Sequence, residues 1–322
     1  EVLVRAQEWG EAIRYLTTMV TLQTDADERS TTLQRIATLQ RDHVGDPQAA
    51  IASLEAAIAE GSFSRAPLIS LMELHKSSDN MERALECIDG LLHLEEDPSG
   101  RATFAMNGAT LCRDHLRAPR RAVQYLDEAL DADSEAPLAF ESLVSVLGEL
   151  QDWEGQSAAY LRMIARVEQE SKQTERLFNL HRDLGELHQT RRLDPQAAID
   201  HFEQAAVLKP NDLPVREALA NLYEQTDEYL ERAADTHRAL LSLDPSRVDS
   251  YHRLFGLLGR LDERERAWCV AGLLVGMGEA TPQELAAYEQ VRPSSLGSLA
   301  GLSSQSWDER IKDEDAKLSR VF

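Results

Sequence analysis

The stretch DPQAAIDHFEQAAVLKPNDLPVREALANLYEQ, residues 194–225, decides the fold of this chain. Its first half places alanine at Ala198 and Ala205, two helical turns apart and therefore on one face of a helix. Alanine at these positions lets a second helix approach closely. Pro210 then ends the helix, because proline lacks an amide donor and clashes with the preceding turn. The stretch predicts a helix that packs tightly against its neighbours.

Similar segments recur along the chain at nearly constant spacing. The positions that correspond to Ala198 are 12, 50, 84, 122, 156, 198, 232 and 266. Successive steps are 38, 34, 38, 34, 42, 34 and 34 residues, so each step is 34 plus zero, four or eight. Four residues are about one helical turn. A fixed offset of this kind is typical of repeat proteins, and the longer steps indicate helices with an added turn.

A second type of segment lies between these positions and has its own helical pattern. In PLAFESLVSVLGELQD, residues 137–152, apolar side chains fall at Leu143, Val146, Leu147 and Leu150, which is the spacing of one helix face. The repeating unit is therefore two antiparallel helices, A followed by B, present about seven and a half times. A composition with 43% hydrophobic but only 6% aromatic residues also favours helices packed through small side chains. The sequence predicts an all-α fold.

The two clearest copies of this pattern resemble the tetratricopeptide repeat family. The matching residues are Leu184, Gly185, Ala198, Phe202, Ala205 and Pro210 in one copy and Leu219, Ala220, Tyr223, Ala239 and Pro245 in the next. Residues 1–278 keep the period, so the resemblance implies a right-handed α-solenoid of about seven to eight tetratricopeptide-like helix pairs over that range. It also implies a scaffold or adaptor for protein–protein interactions.

In the resembling family, helix A lines a concave groove that holds peptide segments. The residues of this chain at those groove positions are Glu141, Ser145, Glu149, Asn179, Arg182, Glu186, Gln189, Glu217, Asn221, Glu224 and Gln225. This strip is polar and mainly acidic, so the resemblance implies a protein or peptide partner that is basic or polar. Two alternatives remain open: these residues are solvated and bind nothing, or the partner binds the outer B helices.

The family also contains a clamp for a terminal carboxylate, in which a lysine is followed four residues later by an asparagine. The corresponding pairs in this chain are Arg182 with Glu186 and Glu217 with Asn221. Neither pair has the lysine and the asparagine together. The sequence therefore does not predict capture of a terminal carboxylate.

The charge of the chain argues against several classes of partner. Asp and Glu number 56 against 34 Lys and Arg, which gives a formal net charge of −22. Nucleic acid and anionic lipid both require a cationic surface, so neither is expected as a partner. Membrane insertion is not expected either, because no apolar run reaches the roughly 18 residues of a membrane span. Three widely separated cysteines, Cys87, Cys112 and Cys269, favour a reducing, cytoplasmic compartment over a disulfide framework.

Motifs for catalysis or metal binding are weak. Residues 276–278 contain two glycines but lack the preceding strand and the Lys-Ser/Thr ending of a phosphate loop. His181 and His188 could share a helix face, yet no His-Glu-x-x-His or paired cysteine spacing accompanies them, so partly exposed helical histidines are favoured over a metal site. The acidic run 313–315 is expected to be a solvated helix face. We expect no enzymatic activity and no catalytic, cofactor-binding or metal-binding residues.

Two further segments follow the repeats. Residues 279–293 are predicted to form a capping helix, because Thr281 supplies an N-cap and Glu284 the acid of a capping box. The apolar stripe expected to cover the last repeat consists of Leu285, Tyr288 and Val291. Residues 294–322 are predicted to form a linker and a short amphipathic helix that leads to an adjoining region. The apolar residues of that helix are Trp307, Ile311, Leu318 and Phe322.

Two functions fit these features. The favoured one is a scaffold or adaptor whose A-helix groove binds a partner segment within a larger protein or assembly. The alternative is a regulatory or targeting repeat arm of an enzyme whose catalytic domain lies outside this segment.

Overall fold

The structure is a computed structural model that describes residues 8–60, 65–136, 138–169 and 173–291. All regular secondary structure in these ranges is helical. The α-helices are α1 (Trp9–Leu22), α2 (Ala26–Leu39), α3 (Pro47–Ala59), α4 (Arg65–Ser77), α5 (Met81–Leu94), α6 (Pro98–Thr110), α7 (Pro119–Ala132), α8 (Ala139–Glu149), α9 (Trp153–Gln169), α10 (Thr174–Leu187), α11 (Pro195–Leu208), α12 (Leu213–Tyr223), α13 (Leu230–Leu243), α14 (Val248–Arg260), α15 (Arg264–Met277) and α16 (Pro282–Val291). The all-α fold of about seven to eight tetratricopeptide-like helix pairs is confirmed.

The chain forms two compact units, Glu1–Arg166 and Val167–Phe322. In the first unit, α1 to α8 pack in chain order, each on the next; in the second, α10 to α16 do the same, while α9 spans the boundary. The even-numbered helices from α2 to α14 are A helices, and each is followed by its B helix. The most extensive contact in each unit is between an A helix and the B helix that follows it, α6 with α7 in the first unit and α10 with α11 in the second. Each unit is therefore a solenoid of helix pairs.

The longer repeat steps arise mainly from A helices that continue into a π-helical turn. Such turns follow α2, α6 and α10 at Gln40–Val44, Leu111–His115 and His188–Arg192. These three helices lie within the steps of 38, 38 and 42 residues, and α9, which lies within the last of these steps, is also unusually long at 17 residues. The turn that the spacing predicted is thus located at the carboxyl end of helix A.

In six of the seven repeats, the turn from helix A to helix B contains one residue in the left-handed backbone conformation; the turn between α12 and α13 does not. That residue has a positive φ in six repeats: Gly45, Asp79, Arg117, Gln151, Leu193 and Asp262. The next amide then bonds back to a carbonyl of the A helix, as in the 3.0 Å bond from the Asp194 amide to the His188 carbonyl. Glycine adopts this conformation without strain, whereas a residue with a Cβ atom does not.

We therefore expect Leu193→Gly to stabilise the protein by about 0.5–1 kcal/mol. Leu193 has a φ of 52° and 76% of its surface exposed, so the substitution relieves strain and removes little buried area. Gly45→Ala should have the opposite effect, because it places a Cβ atom at a φ of 72°. Urea unfolding of both variants measures these changes, and a loss of stability in Leu193→Gly would contradict the assignment of strain to this turn.

The last two B helices have a register one residue different from the predicted one. Arg232 and Arg266 are exposed, whereas Ala233 and Ala267 are buried at the positions equivalent to Ala198. The step from Ala198 is therefore 35 residues, not 34. A 3₁₀ turn just before α13, which the repeat spacing did not predict, accommodates the additional residue. The predicted step of 34 residues from position 198 to position 232 is therefore wrong.

Helices A and B approach most closely where a glycine of helix A faces a ring of helix B. A Cβ atom built on Gly185 would lie 2.9 Å from two carbons of the Phe202 ring, and one on Gly108 would lie 2.9 Å from the Tyr125 ring. Both rings are buried. Ala198 is also fully buried, as the opening stretch predicted. Small residues at these positions therefore set the distance between the two helices.

We expect Gly185→Ala to destabilise the protein by up to about 2 kcal/mol. The methyl group would overpack the Phe202 ring, and that loss exceeds the gain of about 1 kcal/mol from replacing glycine in a helix. Gly256→Ala on α14 is the matched control, because nothing lies within 4 Å of the place its methyl group would occupy and only the favourable helix propensity remains. Denaturant unfolding should give changes of opposite sign, and stabilisation by Gly185→Ala would contradict the packing argument.

The described part of the predicted capping helix is α16, which packs against α15. Its capping box is present: the Thr281 amide donates to the Glu284 carboxylate at 2.7 Å, and the Glu284 amide donates to the Thr281 hydroxyl at 3.4 Å. Tyr288 stacks on Trp268 with ring centroids 5.3 Å apart.

The apolar stripe of α16 is only partly as predicted. Leu285 is 40% exposed and does not cover the last repeat, because the buried position of the first turn is taken by Glu284. The Val291 side chain lies outside the described residues. So do residues 292–322, which include the predicted linker and amphipathic helix, and the boundaries proposed for these segments stay predictions.

Candidate functional site

The eleven predicted groove residues lie on or directly after three A helices. The α8 surface consists of Glu141, Ser145 and Glu149. The α10 surface consists of Asn179, Arg182, Glu186 and Gln189. The α12 surface consists of Glu217, Asn221, Glu224 and Gln225. All of them are exposed or half-buried, so each surface faces away from the core of its own unit.

The α8 surface is a row of exposed polar side chains spaced four residues apart. Their spacing places them on one helix face, while Leu143 on another face is fully buried. Within the described part of the chain, Glu141 and Ser145 form no side-chain hydrogen bond or ion pair. Glu149 contributes to a raised pKa of Arg113, which is caused mainly by the hydrogen bond between that guanidinium and Asp114. The α8 surface can therefore offer two carboxylates and a hydroxyl to another molecule.

The α10 surface contains one arginine that is already paired. Arg182 bonds to the carboxylate of Asp183 at 2.7 Å and lies over the ring of Phe178, 5.7 Å from its centroid. The bond to Asp183 is the main reason that the pKa of Arg182 is raised, and the charge of Glu186 adds to it. Glu186 itself is exposed and forms no ion pair within the described residues.

The carboxylates of the α12 surface are neutralised by arginines near the start of α14 and within it. Glu217 forms an ion pair with Arg247 at 2.5 Å. Glu224 bonds to Arg253 at 2.6 Å and to His237 Nε2 at 2.7 Å, and its side chain is only 15% exposed. Glu224 therefore joins α12, α13 and α14, and its carboxylate is a structural group within this unit.

His237 is the buried partner in this arrangement. Burial lowers the pKa of His237, and the hydrogen bond with Glu224 opposes that shift. A neutral imidazole donates its Nε2 proton to the Glu224 carboxylate, so the bond does not require a charged histidine. No pattern in the sequence singles out His237 or predicts this role.

The repeat period could have indicated several of the ion pairs between repeats. Residues about 34 positions apart lie side by side in successive repeats. Pairs of this kind include Lys209 with Glu175 at 2.5 Å and Arg260 with Asp227 at 2.5 Å. A search for opposite charges at this offset would have found them. The pair of Glu224 with Arg253 has an offset of 29 residues and would have been missed.

The polar groups of these surfaces that are available to bind a partner are therefore fewer and less acidic than the sequence predicted. Within the described residues, carboxylates without an ion pair remain on the α8 and α10 surfaces, and side-chain amides without a hydrogen bond remain on the α10 and α12 surfaces. The amides are Asn179, Gln189, Asn221 and Gln225. An amide can donate and accept hydrogen bonds, so it can pair with either side of a peptide backbone.

The structure also bears on metal and thiol chemistry. Among the described residues, no three or more His, Cys, Asp and Glu side chains are placed so that they could hold a metal ion. Cys87 and Cys112 are buried, and burial raises the pKa of Cys87 to about 11, which disfavours its reactive thiolate form. In the same part of the chain, every helix is too short or too polar to cross a membrane.

We expect Glu224→Ala to destabilise the second unit by roughly 2–3 kcal/mol. The substitution leaves the mostly buried His237 and the Arg253 guanidinium without their shared carboxylate. Glu186→Ala, a change of the same size at an exposed position, should alter stability by less than about 0.5 kcal/mol. Thermal or urea unfolding distinguishes the two, and equal effects would show that Glu224 has no structural role.

Sequence comparison does not assign the chain to a known family. No family model matches the chain, and no curated protein matches it. The chain is similar to a solved tetratricopeptide repeat protein from Parabacteroides merdae ATCC 43184, with 14% identity, a TM-score of 0.36, and 80% of this chain and 94% of that chain covered. It is also similar to Pseudomonas aeruginosa pilF, with 17% identity, a TM-score of 0.33, and coverages of 70% and 95%.

A third similar structure is that of Naa15/Naa10 bound to HypK-THB. Identity is 17%, the TM-score is 0.42, and the match covers 88% of this chain but only 41% of that chain. All three TM-scores lie below 0.5. The tetratricopeptide-like fold follows from the helix pairs and the period of this chain.

Proposed function

We propose that this chain is a protein-interaction scaffold whose A-helix surfaces bind an extended, basic or polar segment of a partner protein. The observation that supports it is the row of polar groups on α8, which point outward and have no ion pair in the described residues. Repeat solenoids present extended surfaces of this kind, and helix pairing leaves one face of each A helix open. The proposal assigns binding and no catalysis to these residues.

The spacing of the α8 carboxylates suits basic side chains on an extended peptide. Glu141 and Glu149 are eight residues apart, which is about 12 Å along a helix. An extended peptide that runs beside the helix covers this distance in about four residues at roughly 3.3 Å each. Two lysines or arginines about four positions apart would therefore each meet a carboxylate. The attraction is electrostatic, so we expect it to weaken as salt concentration rises.

The α10 and α12 surfaces would contribute differently. Their amide side chains can bond to the carbonyl and amide groups of a peptide, which gives affinity without much sequence preference. Glu217 and Glu224 are not assigned to this role, because a partner would have to displace Arg247 or Arg253 from them. The α12 surface is therefore proposed to recognise polar rather than basic groups.

Selection from a random dodecapeptide library against the immobilised 322-residue chain tests this proposal. We expect enriched peptides to carry Lys or Arg and to lose about tenfold or more in affinity for the double variant Glu141→Lys/Glu149→Lys, because like charges then face each other. Fluorescence anisotropy with a labelled enriched peptide measures the affinity.

The matched control is the double variant Glu154→Lys/Glu231→Lys. Both residues are exposed, lie on B helices and change the net charge of the chain by the same amount. Glu154 and Glu231 are also in the first turn of their helices, as Glu141 is. Retained binding by this control supports the A-helix surfaces. Equal loss in both double variants, or loss in the control alone, would place the interface elsewhere.

A further inference from the structure

Three histidine rings meet between α10, its π-helical turn and α11. His181 Nδ1 and His201 Nδ1 are 3.3 Å apart, and their ring centroids are 5.5 Å apart. His188 stacks on His201, also with centroids 5.5 Å apart and with an angle of 25° between the rings. We call these three residues the histidine cluster. It lies at the contact between helices A and B of one repeat, the same two helices that bring Gly185 against Phe202.

The cluster differs from what the sequence predicted. His181 is half-buried, in agreement with a partly exposed helical histidine, but His188 is only 5% exposed. The prediction is therefore wrong for His188, because the π-helical turn carries it towards α11 and away from solvent. His201 was not singled out, since it belongs to the other helix of the pair.

The short contact within the cluster limits how many protons it can hold. Two imidazole nitrogens at this distance share one hydrogen bond, in which one ring donates and the other accepts. A pair that holds one extra proton can keep this bond. A second extra proton would place two N–H groups and two positive charges against each other in a partly buried site.

The surrounding charges only partly offset this repulsion. Burial is the main cause that lowers the pKa of all three histidines, and it lowers that of His201 to about 4 with further contributions from the other two rings. The charged groups that face the cluster from α9, the π-helical turn, the loop before α11 and α11 itself are Glu168, Arg192, Asp194 and Asp200. The carboxylates oppose the lowering of the histidine pKa values, whereas Arg192 lowers the pKa of His188 further.

We propose that the histidine cluster is a pH-sensitive contact that holds α10 against α11 near neutral pH and loosens when the cluster becomes multiply protonated. Unfolding or local opening exposes the rings to water, where they take up protons more readily. Opening is therefore favoured as pH falls below the ordinary histidine pKa of about 6.5. The contact is fully stable above that pH, and the stability is lost progressively towards pH 4.

Loosening of this contact would also affect the α10 surface. Asn179, Arg182 and Glu186 belong to the same helix as His181, so a shift of α10 moves them together. This consequence rests on the proposed function. The opening of the contact itself does not, because it can be measured on the chain without any ligand.

Hydrogen exchange of the 322-residue chain at pH 7 and pH 5, with EDTA present, tests the inference. After correction for intrinsic exchange rates, we expect the opening constant of the α10 and α11 amides to rise about 20-fold, from the shifted pKa of His201 alone. His201→Phe should remove most of this rise, because a phenyl ring fills the site and does not titrate. His115→Gln, at an exposed position in the other unit, should leave the rise unchanged.

A second variant keeps the test decisive if His201→Phe does not fold. His181→Asn preserves a polar group near the Nδ1 position but does not titrate, so it should also reduce the rise. An equal rise in the wild type and in the folded histidine variants, or no rise in the wild type, would overturn the inference. Peptide binding at pH 7 is measured separately, so its failure would count against the proposed function and leave the histidine cluster unaffected.

Discussion

Close approach between helices A and B within each repeat is the constraint on which the rest of the structure depends. At Gly185 not even a Cβ atom fits beside the Phe202 ring, and Ala198 on the same B helix has no exposed surface. This contact occupies one face of helix A, and the next helix in the stack covers another. The remaining face is open on every A helix. Packing therefore determines which face of each A helix is exposed, but it does not determine which residue types lie on that face.

Ion pairs between successive repeats then decide which exposed charges remain available. Stacking brings residues about 34 positions apart together, so arginines of one repeat reach carboxylates of the previous one, as Arg162 does with Asp127 at 2.8 Å. A formal charge of −22 is consequently not spread evenly over the surface. Arg247 neutralises Glu217 and Arg253 neutralises Glu224, whereas Glu141 has no ion pair within the described residues. Electrostatic attraction of a basic partner should therefore depend on carboxylates without an ion pair, such as Glu141.

The sequence predicts the period and the helix pairing because small residues two turns apart form a local pattern. The register of α13 was missed because the 34-residue period was continued to Arg232, although the small residue that the pattern requires is Ala233; the 3₁₀ turn before α13 accommodates the additional residue. The A-helix surfaces could likewise be predicted as positions. Their chemistry could not, because the bond between Glu224 and Arg253 depends on how three helices stack. The spacing of residues along the chain determines the helix face on which each one lies, while tertiary packing determines which charges are paired.

Two histidine sites in neighbouring repeats of the second unit show how the partner of an imidazole changes the size of its response to pH. His237 Nε2 bonds to the carboxylate of Glu224, and this hydrogen bond opposes the lowering of the His237 pKa by burial. His201 bonds to His181, and extra protons there meet another imidazole. At both sites the pKa stays below the ordinary histidine value, so acidification favours opening, and the Glu224 carboxylate reduces this effect at His237. Burial lowers the pKa of both histidines, and the group at the other end of the hydrogen bond decides whether that shift is reduced, as by the Glu224 carboxylate, or increased, as by the neighbouring imidazoles.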